Sequence, residues 1–521
     1  MLFRHRFLVV LSVLLLPLAT LHAGPLETDP FTLDPGFNAG AIRLDRFGGN
    51  NSTHRSSVGH RVARLADGSY VVAALVDAFG AETGTITGIK NIGLLHVDAN
   101  GQKIAWPAVD SAYTDSSHNY IVIPNQLDAR YTAISDVQFY NARIYVMADH
   151  AEDNGRTDVH VLAFGLDGSY QGVVATTSGE VESGVGMVFA NISRTLSYMM
   201  LVTSREFQSN GFIEIRLARY KINDLTLTVS LDTSFGNSGY QLRVVTDCYT
   251  PGTGVAIGCE TSPNAITAIN RNDAGETVAT PYIFVTGRYW QDAGDGSPAK
   301  WRSFVMKTDI EGHWQFPYGT PNAAGGNDGI VKYDLPDTPE YNVSRAVAVR
   351  HEQGDGLVTF VLHGIDRSCG TGFNIARIDG TGLNVAAASS TPFGGSDAYP
   401  CTSEARVFTD ATSMVLQGDR LAVVGSTADY FLGMFPEKFA WLTIFDATRG
   451  LMTEYQPLRT YIGEDIAHGA LNDIVAAGEG RFVAVGGATD SARNQRDLAT
   501  VAGLRSDRIF AGSFGSDRFD D

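Results

Sequence analysis

The chain has 521 residues, a formal net charge of −18, 44% hydrophobic residues and 18% charged ones, so it is acidic and has the apolar content of a large core. An acidic surface repels phosphate backbones and anionic lipid headgroups, which argues against nucleic acid and anionic membranes as partners. After the first two dozen residues, no stretch is long and apolar enough for a membrane-spanning helix.

Residues 1–23 read as a secretory signal peptide. Arg4, His5 and Arg6 form a basic start, "FLVVLSVLLLPLAT" a short apolar run, and "LHAG" a cleavage point after Ala23. No cysteine follows the run, so a lipoprotein is not expected. The mature chain is expected to be exported, as a periplasmic or secreted protein.

From residue 24 onward the pattern is short runs rich in Val, Ile, Phe, Tyr and Thr, broken by Gly, Asp and Asn. That is a strand-and-turn pattern, and 56 glycines suit many tight turns. Three lines recur. The first is a turn followed by an apolar strand: "ADGSYVVAAL" (66–75), "YNARIYVMAD" (140–149), "SRTLSYMMLVTS" (193–204), "TPYIFVTGR" (280–288), "GDGLVTFVLHG" (354–364), "GDRLAVVGS" (418–426) and "GEGRFVAVGG" (478–487). The second is a strand ending in an acidic or Gly turn, as in "IGLLHVDANG" (92–101) and "RSFVMKTDIEG" (302–312). The third is a phrase, "LDTSFGNSGYQL" at 231–242, with an incomplete copy, "LDPGFNAGAIRL", at 33–44.

Seven copies of several strands each predict an all-β, radially repeated structure. A single small sheet cannot bury both faces, and stacking neighbours around an axis does so while shielding the edges. The expectation is one β-propeller domain over residues 24–521, with about seven blades, closed by pairing of N- and C-terminal strands. The repeated phrase then marks the passage between blades. Two tandem β-domains are the alternative, but no Pro- or Ser-rich linker divides the mature chain. "VVAAL", "AVVGS" and "VAVGG" are expected on the inner strands, giving a small, apolar wall that speaks against a charged catalytic throat.

The L-D-x-x-F-G-x-x-G phrase followed by a D-G-hydrophobic line resembles the delta-60 repeat of bacterial exported propeller-like proteins. "LDTSFGNSGY" matches closely; "LDPGFNAGAI" carries Asn38 in place of the Gly after Phe. The resemblance implies fold and export. It carries no catalytic residue, because that family has no settled catalytic motif.

Four cysteines, Cys248, Cys259, Cys369 and Cys401, are expected to form disulfides in an oxidising compartment. Cys248–Cys259 and Cys369–Cys401 are the simplest of three possible pairings, and no CxxC points to zinc. No GxSxG, HExxH, Walker loop or CxxCH is present. "EDNGRTD" places Glu152, Asp153, Asn154 and Asp158 close together as a candidate calcium loop, against the plain reading of a solvated turn. "RYWQDAGDGSPAKWRSF" (288–304) gathers Tyr289, Trp290, Asp292, Asp295 and Trp301 as a candidate saccharide site, against the plain reading that Trp290 and Trp301 pack on each other across a hairpin. The histidines read as scattered single residues with no metal spacing.

These features favour an exported, non-catalytic binding or scaffold module with a protein or glycan partner. No cofactor is called for beyond a calcium option. The competing readings are a propeller hydrolase or lyase on a carbohydrate or phosphoester, with or without calcium, and a purely structural surface repeat.

Overall fold

The computed structural model describes residues 32–40, 43–45, 47, 57–77, 90–107, 120–122, 130–177, 181–207, 211–249, 256–291, 300–313, 318–319, 329–334, 342–367, 370–387, 405–431, 437–447, 466–478, 480–490 and 496–505. The leader, Asp292, Asp295, Cys369 and Cys401 lie outside them. Among the described residues the structure is all-β; the one helical element is a 3-10 turn at Asn38–Gly40.

The strands follow one another as up-and-down antiparallel sets. The first holds Ser57–Arg64, Tyr70–Asp77, Lys90–Val97 and Tyr120–Val122. The second holds Tyr131–Tyr140, Arg143–Ala151, Thr157–Gly165 and Tyr170–Thr177. The third holds Val181–Ser193, Leu196–Glu206 and Ile213–Asn223, with Thr228–Leu231 and Tyr240–Arg243 sharing the last edge. The fourth holds Thr261–Arg271, Thr277–Gln291, Lys300–Asp309 and Ile330–Tyr333. The fifth holds Asn342–Glu352, Gly356–Arg367, Gly370–Ile378 and Val385–Ala387. The sixth holds Ala405–Gln417, Arg420–Phe431 and Glu437–Asp446. The seventh holds Ile466–Gly478, Arg481–Asp490 and Arg496–Arg505, and the N-terminal strands Thr32–Leu33 and Arg43–Asp45 pair with its last strand.

Each first strand touches the first strand of the next set, and Ile466–Gly478 returns to touch Ser57–Arg64. The apolar core follows the same succession. Val71, Leu94, Ile134, Val146 and Leu162 join the first set to the second. Val62, Val72, Val483, Val485 and Val501, with Phe37, join the seventh set to the first. Each fully buried Val or Leu contributes on the order of 2 kcal/mol, so apolar packing between sets is the main glue.

The second strands are sandwiched between neighbouring sets on both faces. Val71, Val72, Ala73 and Ala74 are wholly inaccessible. This explains "VVAAL", "AVVGS" and "VAVGG": small apolar side chains fit between packed sheets. The succession of mutual contacts belongs to the preceding strands. Ser57–Gly59 alternates buried and half-buried positions, as expected of a strand with one wetted face, and the alternation breaks at the register shift between Gly59 and Arg61.

The repeated phrase is a turn within the outer edge of one set, not the passage to the next: Thr228–Leu231 and Tyr240–Arg243 flank the internal copy on Ile213–Asn223, and Thr32–Leu33 and Arg43–Asp45 flank the N-terminal copy on Arg496–Arg505. In the internal copy, Asp232 Oδ1 accepts the Ser234 N–H and hydroxyl, and the Phe235 N–H bonds the Asp232 carbonyl at 2.9 Å. In the N-terminal copy, Asp34 Oδ1 accepts the Gly36 N–H and the Phe37 N–H bonds the Asp34 carbonyl, again at 2.9 Å. Both Phe rings are buried against the third-strand turn of the following set: a Cβ on Gly101 would fall 2.6 Å from Phe37, and one on Gly312 would fall 3.0 Å from Phe235. Between the fourth and fifth sets the contact is made by backbone, the Gly319 N–H donating to the Thr381 carbonyl at 3.1 Å in the next set's turn. An Asp-capped turn therefore plugs one aromatic ring into a glycine gap next door.

Candidate functional site

Each first strand breaks register with its second strand at a comparable place. The extra residues are His60, Ser135, Val185, Asn264, Arg345, Thr412 and Asn472. A bulge bends its strand and re-aims the side chains around it. The fit underneath is tight: a Cβ on Gly287, Gly425 or Gly486 would lie 2.1, 1.9 or 1.9 Å from the carbonyl oxygens of Ser262, Asp410 and Ala470.

The residues after the bulges are Arg61, Asp136, Gly186, Ala265, Ala346, Ser413 and Asp473. Their charge is confined to three consecutive sets, with Arg61 between the two acids. Asp473 Oδ2 accepts the Val62 N–H at 3.0 Å, and its Oδ1 accepts the Ser413 hydroxyl at 2.8 Å. Asp136 Oδ2 accepts the Met187 N–H at 2.9 Å, and Arg61 Nε donates to the Ser135 carbonyl at 2.7 Å. Asp149, one strand further out, accepts the Gly184 N–H at 2.7 Å. Each acid thus fastens its own set to the backbone of the next.

Burial pushes the carboxyls of Asp136 and Asp149 up to about 6, and the Met187 and Gly184 N–H groups pull them partly back. Burial also raises Asp473, with Arg61 the leading opposing influence. Burial and then the Arg61 charge lower the His60 imidazole to about 4. Sequence reading missed this cluster because Arg61, Asp136 and Asp473 sit in three unrelated local contexts.

The aromatic stretch splits between two faces. Trp290 and Trp301 are direct cross-strand partners, their ring centroids 5.3 Å apart at 68°. Trp290 is exposed, and Arg288 lies 4.4 Å over the Trp301 ring. Tyr289 points the other way and is fully buried in the core, which removes it from any surface platform. Lys300 also lies on the far face, bonded to Asp334 at 2.9 Å beside Arg302.

The "EDNGRTD" residues separate as well. Glu152 turns to His150, with 3.1 Å between Oε1 and Nδ1. Asp153 pairs with Arg130. Asn154 Oδ1 caps the Arg156 N–H at 2.8 Å, and Asp158 stands opposite His150 in the ladder. A second concavity, of roughly 400 Å³, opens on the third set. Arg205, Arg216 and Tyr240 line it, but Glu214 and Glu182 pair with the two arginines.

Cys248 lies in a short ribbon, Thr246–Tyr249 against Ala256–Gly258, that leads into the buried Cys259. The Cys259 N–H bonds the Val245 carbonyl at 2.8 Å, so the backbone returns to its own start across this loop.

No family model matches the chain. No curated protein matches it either. Solved structures similar to it include an α-L-arabinofuranosidase from Fusarium graminearum, at 9% identity over 92% of this chain and 98% of that one, with a TM-score of 0.37. The β-propeller domain of the trilobed protease from Pyrococcus furiosus matches at 9% identity over 90% and 100%, with a TM-score of 0.36. Drosophila semaphorin 1a, extracellular domains 1–2, matches at 11% identity over 92% and 90%, with a TM-score of 0.38. At such identities and scores no activity passes from them to this chain.

Proposed function

We propose that the chain is an exported seven-bladed β-propeller that acts by binding, and that it takes a saccharide on the rim of the fourth set. The observation that carries binding over catalysis is the use made of the acids at the bulges and beside them. Asp136, Asp149 and Asp473 each spend a carboxylate oxygen on a neighbouring strand's N–H. The saccharide reading rests on the Trp290–Trp301 pair: an aromatic face covers the C–H face of a sugar, and Arg288 beside it donates to hydroxyls. The seven-blade reading is supported by the succession of first-strand contacts, and closure by the pairing of Thr32–Leu33 and Arg43–Asp45 with Arg496–Arg505. The basic and apolar leader supports export, and a Cys248–Cys259 bridge belongs to the same proposal. So does the delta-60 relationship, which rests on the two phrase copies and their shared Asp-capped turn.

The test is a titration of the mature protein with a panel of soluble glycans, read by tryptophan fluorescence. A saturable change with one glycan class, lost in Trp290→Ala, is the expected result. No response to any class overturns the saccharide reading.

One observation favours the hydrolase alternative: the Asp136 carboxyl, held near 6 beside Arg61, can exchange protons at neutral pH. Turnover of a bound glycan or phosphoester that disappears in Asp136→Asn would replace the binding reading with this one.

A further inference from the structure

We infer that Tyr131, His150, Glu152 and His160 form a binding site for a zinc-class divalent metal on the second set, with two imidazoles and one carboxylate as ligands. The site does not depend on the saccharide reading. His150 is next to last in one strand, Glu152 opens the turn, and His160 lies on the returning strand, diagonal to His150. The ligand atoms of the three residues all lie within 4.8 Å of one another. A tetrahedral site with Zn–N distances near 2.0 Å needs ligand atoms about 3.3 Å apart. The His150–Glu152 contact, at 3.1 Å, already meets that spacing.

The imidazole rings lie nearly parallel, 4.3 Å apart at 13°. Tyr131 supplies the outer support. Its hydroxyl stands 3.5 Å from His160 Nδ1, which directs Nε2 of that ring to the metal. Tyr131 and His150 are buried, while Glu152 and His160 are partly open, so a fourth position faces solvent. The donor set decides the metal class. Calcium takes six to eight oxygens, whereas two imidazoles with one carboxylate suit zinc and its neighbours.

The experiment uses untagged, oxidised, full-length mature protein, stripped with chelator and dialysed against cobalt(II) and then zinc. Expected are the intense visible bands of four-coordinate cobalt(II), bleached by one equivalent of zinc. His150→Gln and His160→Gln should each weaken zinc binding at least about tenfold, and Tyr131→Phe should weaken it while keeping the stoichiometry. Far-UV circular dichroism checks that the variants fold. Wild-type protein that gives no such bands, or a folded His150→Gln/His160→Gln double variant that retains zinc as the wild type does, overturns the site. The cobalt spectrum needs no variant, so a variant that fails to fold still leaves a decisive result.

Discussion

The succession of first strands has two arcs built from the same backbone device. On the seventh, first and second sets, the residue after the bulge is Asp473, Arg61 or Asp136. On the third, fourth and fifth sets it is Gly186, Ala265 or Ala346. The bulge is therefore a requirement of the architecture, and charge at that position is not. The charged arc holds its neighbours by carboxylate-to-backbone bonds, as from Asp136 to Met187 and from Asp473 to Val62. The neutral arc relies on close apolar contact: a Cβ on Gly186 would come 2.4 Å from Ile266.

Removing the cation from the charged arc should have the largest effect. Arg61→Ala strips a guanidinium from between two half-buried carboxyls and leaves the Ser135 carbonyl without its donor. The expected loss is about 3 kcal/mol, read as a lowered denaturation midpoint with an unchanged slope.

Next comes the device shared by all the sets. Gly486→Ala on the charged arc and Gly287→Ala on the neutral arc both push a methyl into a first-strand carbonyl. Each should cost about 2 kcal/mol, and about equally. Unequal losses would mean that the arcs differ in backbone as well as in side chains.

The arcs should also titrate with opposite sign. Asp136 has its carboxyl raised to about 6, so its contribution to stability is present below about 4 and is lost as pH rises towards 7. Asp136→Asn should therefore gain on the wild type by up to about 2 kcal/mol between pH 4 and 7. On the other arc, His363 is fully buried with Nε2 2.8 Å from the Tyr333 hydroxyl, and burial depresses its imidazole to about 3. Its contribution is present above about 6.5 and is lost as pH falls. His363→Gln should thus gain on the wild type in acid. Parallel melting-temperature series from pH 4 to 7 test both signs.

The smallest change is expected from Ala346→Ser. Ser413 holds the equivalent position in the sixth set, so the hydroxyl is tolerated there by the same backbone. The melting temperature should move by less than the equivalent of about 0.5 kcal/mol.

Much of the strand order could be read along the chain. The seven apolar lines correspond to second strands, and the phrase at 231–242 forms a turn because Asp232, Phe235 and Gly239 act through their own neighbouring backbone. The plain reading of Trp290 and Trp301 as cross-strand partners also holds, since they lie opposite each other in one hairpin. The first strands escaped notice: "SVGHRVAR" and "IAHGALNDIVAAG" have no shared turn and a broken alternation. His150 and His160 escaped for a related reason, because their proximity depends on the diagonal offset of one hairpin ladder.

The sequence by itself determined the features that act over a few residues: the all-β composition, the Asp-capped turns, the glycines at positive φ and the spacing of the apolar lines. Only the tertiary structure decided which strand of each set touches its counterpart in the next, and that Arg61, Asp136 and Asp473 come together there. The physical reason is the period of two. Alternation divides a strand into two faces without saying which one is wetted, and a single bulge residue, unmarked in composition, exchanges them.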